Sequence, residues 1–326
     1  MLPQSAGPAY SIGVDLGGTN LRVAAIKEDG SMLEKVAEPI SYDNGPEAVI
    51  ATITDVVRAI ASRIGNGSLC GVGIGVPGFI NMETGTIIGS ANLPGFEEFP
   101  VRDAIQQRLG TSIILENDAN AAALGELWMG AGKNVKDLVL LTLGTGIGGG
   151  IVVDGKVLHG FLGMAGEFGH MTVFPDGNPC GCGNRGCLEK HASATAIAAM
   201  GRMMHFGRDT TSAHVAELAL AGNERAKLVF ESVGRALGIA LANLINIFNF
   251  PLYLLTGGPV AAWDLFAPSM FNEIEQRSLI YARTGTRIER AQLGADAGLI
   301  GAAYLPFQNK GKCSQEFLPG GRGSIS

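Results

Sequence analysis

Hydrophobic residues recur along this chain with two spacings, one typical of amphipathic helices and one typical of short β-strands. The clearest helical pattern covers residues 46–64, which begin with a proline and are followed by Gly65. Its apolar positions are Val49, Ile53, Val56, Ile60 and Ile64. Because this spacing brings the apolar side chains onto one face, the stretch is predicted to form a helix that packs against a core.

A strand, a glycine-rich turn, a second strand and an Asp-Gly turn occur twice, in the same order. These are residues 10–14, 15–20, 21–26 and 29–30, and later residues 138–143, 144–150, 151–153 and 154–155. When Gly18-Thr19 is aligned with Gly144-Thr145, the two Asp-Gly turns fall within one residue of the same register. Each glycine turn could bind phosphate through backbone N–H groups. The repeat predicts a duplicated fold that closes around a nucleotide from both sides.

The remaining patterns alternate between strands and helices, as in an α/β protein. The predicted strands are residues 71–76, 112–115 and 252–255, and the predicted helices are residues 101–109, 119–128, 192–206, 213–221, 224–248 and 295–303. A third glycine turn, Thr256-Gly-Gly-Pro259, follows the last strand. The tail 310–326 is rich in Gly, Ser and Lys and is predicted to be disordered.

Composition indicates a well-packed enzyme of about two domains, at roughly 150 residues each. The 326 residues are 46% hydrophobic and 17% charged, and the net charge is −6. This acidic balance argues against a nucleic-acid partner. The N-terminus lacks the pattern of a signal peptide, so the expected location is the cytoplasm. Asparagines and Pro251 interrupt the apolar residues 237–255, which favours a buried helix followed by a strand over a membrane span.

Residues 166–189 concentrate metal-binding chemistry in one short, glycine-rich loop. His170, Cys180, Cys182 and Cys187 supply the ligand set of a closed tetrahedral zinc site. The alternatives are ordinary buried or free cysteines, or a disulfide, which three cysteines fit poorly. A structural Zn²⁺ here would also fix two nearby carboxylates, Glu167 and Glu189.

Asp118 follows a predicted strand and precedes a predicted helix, where a carboxylate can face a ligand. A phosphoryl-transfer site needs such a carboxylate to accept the proton of the attacking hydroxyl, together with phosphate-binding amides and Mg²⁺. The alternative role of Asp118 is an ordinary helix N-cap. Asp15 could hold Mg²⁺ through water or merely accept from turn amides. The glycine turns fit neither the dinucleotide fingerprint, because a strand follows residues 144–150, nor the Walker A motif.

A second group of polar side chains suits a ligand with several neighbouring hydroxyls. It combines acceptors and donors, and it consists of Asn92, Asn117, Glu167, His170 and Glu189. A histidine that binds a metal through one ring nitrogen keeps the other N–H free to donate. The group therefore indicates a sugar rather than a lipid or a base.

Together these motifs resemble the ROK family of sugar kinases and repressors, within the actin-like ATPase superfamily. The resemblance runs from about residue 11 to residue 305. Its most specific part is the pattern Gly-Glu-x-Gly-His and Cys-x-Cys-Gly-x-x-Gly-Cys-x-Glu in residues 166–189, with which Asp15-x-Gly-Gly-Thr and Glu116-Asn-Asp-Ala-Asn agree. The resemblance implies a mixed α/β fold of two duplicated, ribonuclease H-like domains, which form two lobes around a cleft and carry a zinc-binding loop.

The resemblance also implies a role for each site residue. Asp118 would be the catalytic base. The sugar would be bound by Asn92, Asn117, Glu167, His170 and Glu189, and zinc by His170, Cys180, Cys182 and Cys187. The first phosphate loop would be Asp15, Gly17, Gly18 and Thr19, the second Gly144, Thr145 and Gly146, with Gly257 and Gly258 near the adenosine. The smaller lobe would contain residues 1–117 and a C-terminal helix near 295–309, the larger lobe residues 118–294.

The expected function is ATP-dependent phosphorylation of a hexose, most simply glucose to glucose 6-phosphate, with Mg²⁺ as cofactor. N-acetylmannosamine, N-acetylglucosamine, fructose and other hexoses stay open as substrates, and family members commonly form homodimers. A sugar-responsive repressor is less favoured, since only 14 residues precede Asp15, too few for a helix-turn-helix module. A zinc ribbon that binds nucleic acid disagrees with the acidic charge.

Overall fold

The computed structural model describes residues 7–65, 67–90 and 92–308. The chain divides into two compact units, and it passes from one unit to the other several times. Unit 1 contains the chain up to Gly130, the short segment His159–Met164 and the chain from Asp296 onward. Unit 2 contains Ala131–Leu158 and Ala165–Ala295.

Unit 1 is built on a sheet that, among its described residues, has five strands in the order β3-β2-β1-β4-β7. These strands are β1 (Ala9–Leu16), β2 (Asn20–Lys27), β3 (Met32–Pro39), β4 (Ser68–Val76) and β7 (Ile113–Asn117). A small hairpin is formed by β5 (Phe79–Asn81) and β6 (Thr86–Gly89). The helices are α1 (Gly45–Ile64), α2 (Val101–Leu109), α3 (Asp118–Met129) and α10 (Ala297–Gln308).

The helices α3 and α10 pack against each other through small residues. A Cβ atom on Gly301 of α10 would lie 1.7 Å from the Ala121 carbonyl oxygen of α3, and one on Gly125 would lie 2.2 Å from the Ala297 carbonyl oxygen. The sheet approaches α10 as closely, since a Cβ on Gly73 of β4 would lie 1.9 Å from the Ala302 carbonyl oxygen. Only glycine leaves room for this contact, so α10 is an integral part of unit 1.

Unit 2 repeats this architecture with a second sheet, whose described residues form five strands in the order β10-β9-β8-β11-β12. They are β8 (Leu138–Leu143), β9 (Ile147–Val153), β10 (Lys156–Val157), β11 (Leu252–Thr256) and β12 (Arg287–Arg290). The helices are α4 (Glu189–Ala192), α5 (Ala194–Met203), α6 (Ser212–Leu220), α7 (Glu224–Phe248), α8 (Trp263–Arg277) and α9 (Tyr281–Thr284).

Helix α7 is the central helix of the unit 2 core. It packs against α8, and its buried residues include Phe230, Leu237 and Leu241. By length and composition α7 could cross a membrane, and it is the one helix in the described part of the chain that could. However, 67% of its most apolar window is buried within the protein, which is the pattern of a core helix.

The two sheets confirm the predicted duplication. In each, an antiparallel hairpin (β1-β2 or β8-β9) lies beside two strands that run parallel to its first strand. The hairpin bends fall at the predicted glycine turns, since Leu16 pairs with Leu21 and Leu143 pairs with Ile147. Both bends are shorter than predicted, because Asp15 and Leu16 belong to β1, Asn20 belongs to β2, and residues 147–150 belong to β9.

Several boundaries differ from those predicted. The division at 117/118 assigned α3 to the larger lobe, but the structure places residues 118–130 and 159–164 in unit 1, because α3 packs against α10. The helix predicted at 192–206 is α5, which covers only Ala194–Met203; Ala192 ends the separate short helix α4, and the Ser193 hydroxyl caps α5. The last helix is longer than predicted and ends at Gln308. The predicted disordered tail, 310–326, lies outside the described residues.

Candidate active site

Asp15 and Asp118 lie at the carboxyl ends of parallel strands in unit 1. Asp15 is the next-to-last residue of β1, Asp118 directly follows β7, and β4 runs between them. The first turn of α10 lies beside both, since a Cβ on Gly298 would be 3.8 Å from the Asp15 carboxyl carbon and 3.7 Å from the Asp118 carbonyl oxygen. This edge is where open α/β sheets place ligands.

Asn117, rather than Asp118, is the N-cap of α3. The Asn117 Oδ1 atom accepts from the backbone N–H groups of Ala119 (2.9 Å) and Asn120 (3.2 Å), and its Nδ2 atom donates to the Gly78 carbonyl oxygen at 3.2 Å. The structure therefore gives the capping role that was the alternative for Asp118 to its neighbour. Asp118 is solvent-accessible, and its Oδ1 accepts from the Ala119 N–H at 2.8 Å.

The environment of Asp118 suits a group that exchanges protons near neutral pH. Surrounding protein atoms reduce the hydration of its carboxylate and raise its pKa to about 6. The hydrogen bond from the Ala119 N–H lowers the pKa and offsets part of this effect. The negative charge of Asp15 raises the pKa further. A general base works best when its pKa lies near the operating pH.

Asp15 belongs to a network of alternating charges. Its carboxylate pairs with Arg22, which stands opposite it in the β1-β2 register. Asp296 lies 4.0 Å from Arg22 and 2.5 Å from Lys35 on β3. Burial raises the pKa of Asp15, while Arg22 lowers it in part. The network fixes the carboxylate beside the first hairpin bend.

The first hairpin bend is held by short-range contacts. The Gly17 N–H donates to the Asn20 carbonyl oxygen at 2.9 Å, and the Tyr42 hydroxyl donates to the Gly17 carbonyl oxygen at 2.7 Å. Asn92 lies beside Gly18, where a Cβ would be 3.7 Å from the Asn92 carbonyl oxygen. The structure thus brings the predicted residues Asp15, Gly17, Gly18, Thr19, Asn92, Asn117 and Asp118 together within unit 1.

The second and third glycine turns meet at the edge of the unit 2 sheet. Gly144 donates to the Gly146 carbonyl oxygen at 2.9 Å, and the Thr195 hydroxyl donates to the Thr145 carbonyl oxygen at 2.7 Å. Gly257 has φ +103°, and a Cβ there would be 2.0 Å from the Leu143 carbonyl oxygen. Positive φ and close approach together require glycine at 257.

A cavity of about 290 Å³ opens beside the third turn. Gly258 and Pro259 form one wall, and apolar side chains such as Ile197 and Phe230 contribute to others. Ser212 and Glu217 supply polar groups. Sites for drug-sized ligands span about 300–1,000 Å³ and are mostly apolar with a few polar groups, so a cavity at the lower end of this range has the size and lining for a single planar ring such as a nucleobase.

The predicted metal ligands converge in unit 2. One ligand atom from each of His170, Cys180, Cys182 and Cys187 lies within 4.8 Å of all the others. The Cys180 Sγ to His170 Nδ1 and Cys182 Sγ to Cys187 Sγ distances are both 3.7 Å. Ligands about 2.0–2.3 Å from one tetrahedral ion lie roughly 3.6–3.8 Å apart. The three thiols are free rather than disulfide-bonded, so the group can hold a metal ion.

Two carboxylates lie next to this cluster. The His170 Nε2 atom, on the side of the ring opposite the thiols, is 3.8 Å from the Glu167 carboxylate. Glu189 begins α4, and its carboxylate accepts from the Ile147 N–H at 3.3 Å, beside Gly146. Burial raises the pKa of Glu167. The charge of His170 lowers this pKa in part, and the charge of Glu189 raises it. An imidazole and two carboxylates thus lie between this cluster and the second glycine turn.

Two pairs near these residues were not predicted. The side chain of Glu116 forms a hydrogen bond with His159, and that of Asp15 forms one with Arg22. The second pair could have been found by aligning the hairpin, since Asp15 and Arg22 are cross-strand neighbours. The first joins residues 43 positions apart, and no local pattern connects them.

The fold and these residues define a class of protein. Two α/β units of the same strand order, each with a glycine bend between antiparallel strands, form an actin-like fold, here with a Cys/His cluster in unit 2. The sequence matches the ROK family over residues 11–309. The chain belongs to the ROK family.

Relatives and solved structures agree with this assignment. The glucokinase of Halalkalibacterium halodurans is 38% identical over 317 residues, which cover 92% of this chain and 96% of that protein. The ROK hexokinase of Thermus thermophilus superposes with a TM-score of 0.81 at 33% identity, over 92% of this chain and 99% of that one. A ROK glucokinase from Streptomyces griseus, solved with glucose and AMPPNP, gives 0.75 at 32% identity over the same shares.

The family also contains regulators. The xylose repressor of Caldicellulosiruptor bescii is 30% identical over 308 residues, which cover 90% of this chain but 77% of that protein. Similarity alone therefore does not distinguish a kinase from a repressor. The distinction depends on the side chains of the site.

Proposed function

We propose that this protein is an ATP-dependent sugar kinase that converts glucose to glucose 6-phosphate, with Asp118 as general base. The observation that carries the proposal is the Asp118 carboxylate, accessible to solvent, next to Asp15 and with a pKa raised to about 6. A repressor needs to bind sugar but has no use for a base of this kind. The similarity to proteins named glucokinase supports glucose as the substrate.

In the proposed reaction Asp118 accepts the proton of the sugar 6-hydroxyl as its oxygen attacks the γ-phosphorus. The bond from that phosphorus to the bridging oxygen breaks, and ADP leaves. Backbone N–H groups of the turns at Gly17–Thr19 and Gly144–Gly146 would bind phosphate oxygens, where positive dipoles offset developing charge. Asp15 would hold the Mg²⁺ that accompanies the nucleotide, and Mg²⁺ neutralises phosphate charge.

The cavity beside Gly258 would receive the adenine ring. Its apolar walls can pack against the faces of the base, while Glu217 and Ser212 can accept hydrogen bonds from its edge. Gly257, which has no room for a side chain, lets the third turn pass close to the Leu143 carbonyl group at the end of β8. This placement supports ATP as the phosphoryl donor.

The Cys/His cluster would bind a structural Zn²⁺ that leaves no ligand position open for chemistry. His170 would bind the ion through Nδ1 and donate from Nε2, and Glu167 and Glu189 would accept from sugar hydroxyls. Asn92 is proposed as a further sugar contact. Asn117 has its Oδ1 engaged by two N–H groups, so its contribution would come through the second hydrogen of Nδ2.

The test is a coupled ADP-release assay with Mg-ATP over a panel of hexoses and N-acetylhexosamines. Glucose is expected to give the highest kcat/KM, and Asp118→Asn is expected to lower kcat by about 10²–10⁴-fold while glucose still binds. Asp103→Asn, an exposed acid in the first turn of α2, is the matched control and should leave kcat unchanged. Activity of Asp118→Asn near that of the wild type would refute the role of the base.

A sugar-responsive repressor is the second candidate, because of the similarity to the xylose repressor. A gel shift with genomic fragments, with and without sugar, tests it with the same preparation. We further propose a cytoplasmic homodimer, which light scattering and fractionation would examine.

A further inference from the structure

Glu116, the last residue before Asn117 and Asp118, is a buried carboxylate with both oxygens bonded. Only 2% of the surface of Glu116 is exposed to solvent. The Oε1 atom accepts from the Asn117 N–H at 2.9 Å and from Asn120 Nδ2 at 3.0 Å. The Oε2 atom lies 2.7 Å from His159 Nε2. A buried charge is tolerated only when such partners replace water.

Two of the three donors lie on either side of Asp118 in the sequence. Asn117 precedes it and Asn120 follows it in the first turn of α3, and both are tied to the same oxygen of Glu116. Asn117 in turn caps the helix by accepting from Ala119 and Asn120. The position of the Asp118 backbone therefore depends on where the Glu116 carboxylate sits.

The third donor comes from a distant part of the chain. His159 starts the segment His159–Met164, where the chain leaves unit 2, joins unit 1 and returns two residues before Glu167. The His159 side chain is about one-third exposed, whereas the Glu116 side chain is almost fully buried. The hydrogen bond with Glu116 raises the pKa of His159, which agrees with donation from its Nε2 atom to the Glu116 carboxylate.

We propose that His159 is a positioning residue, which holds the Glu116 carboxylate and through it the strand end and first helical turn that carry Asp118. The proposal rests on the proposed function, in which Asp118 is the base. His159 itself touches neither Asp118 nor the reacting atoms in this role. Without the His159 bond, one oxygen of a buried carboxylate loses its partner, and Glu116 is free to turn toward water.

Two polar variants of different reach test this proposal. In His159→Gln the amide nitrogen can occupy the place of Nε2, whereas in His159→Asn the shorter side chain cannot. His159→Asn is expected to lower kcat about 10–100-fold, since a displacement of about 1 Å can cost 10²-fold, and to leave the KM for ATP within about twofold. His159→Gln should recover most of kcat. His214→Asn, in helix α6, is the control for loss of a histidine.

Amide hydrogen exchange gives a readout that does not need activity. In His159→Asn the amides of residues 117–120 should exchange at least tenfold faster than in His159→Gln, at equal Tm. Equal kcat and equal exchange in the two variants would overturn the positioning role. A wild-type protein that phosphorylates no sugar would refute the proposed function instead, and the exchange comparison would still decide whether His159 holds this turn.

Discussion

The acid limb of the pH–rate profile offers a quantitative test of the environment of Asp118. With a pKa of about 6, this carboxylate is about 91% ionised at pH 7 and about 9% ionised at pH 5. The base must be ionised to accept a proton, so kcat/KM should fall about tenfold between these values and about tenfold per further pH unit. At the ordinary pKa of 3.8 the loss at pH 5 would be under about 10%.

The assay is ADP release at subsaturating glucose, because kcat/KM reports the pKa values of the free enzyme. Phosphate groups of the nucleotide also titrate near pH 6, so a ¹³C NMR titration of the Asp118 carboxyl, assigned with Asp118→Asn, separates the two. Asp15→Asn removes a neighbouring negative charge and should shift the Asp118 midpoint to lower pH. A midpoint near 4 in the wild type, or a flat profile down to pH 5, would refute the reasoning.

Three further outcomes follow from the structure. Cys187→Ala should lose the stoichiometric metal in elemental analysis and raise the KM for glucose about tenfold, because Glu167 and Glu189 lose the support of the metal-bound loop. An unchanged KM with the metal absent would contradict this. Glu217→Gln should reduce the preference for ATP over GTP about tenfold in kcat/KM, because an amide can donate to guanine O6 where a carboxylate cannot. Gly301→Ala should lower the unfolding free energy by about 1–3 kcal/mol in urea titrations, whereas Gly89→Ala, where a Cβ meets nothing within 4 Å, should change it by less than about 0.5 kcal/mol.

The parts of the site that could be predicted from sequence are those made by neighbours in the chain. The metal ligands span residues 170–187, so their spacing alone brought the cluster to attention, and the structure places them together. The two hairpins could be predicted because strand, glycine turn and strand are consecutive. The position of Asp118 between a predicted strand and a predicted helix indicates a carboxylate that can face a ligand.

The parts that could not be predicted depend on residues far apart. Gly125 and Gly301 read as ordinary small residues of two helices, and only the structure shows that they let α3 and α10 touch. Without that contact, α3 was assigned to the wrong unit. The sequence does not predict the role of Glu116, because its partner His159 lies on a segment that has no pattern of its own.

The position of α10 has a consequence for how the protein is made. The ribosome releases β1, β4 and α3 early, yet the helix that covers them is among the last parts of the described chain to emerge. Until Ala297–Gln308 has left the exit tunnel, the glycine-lined surface of the N-terminal sheet stays uncovered, although the strands of that sheet were synthesised long before. Released chains that end at Ala295 should therefore be cleaved by protease within the first 130 residues but resist it between Ala165 and Ala295.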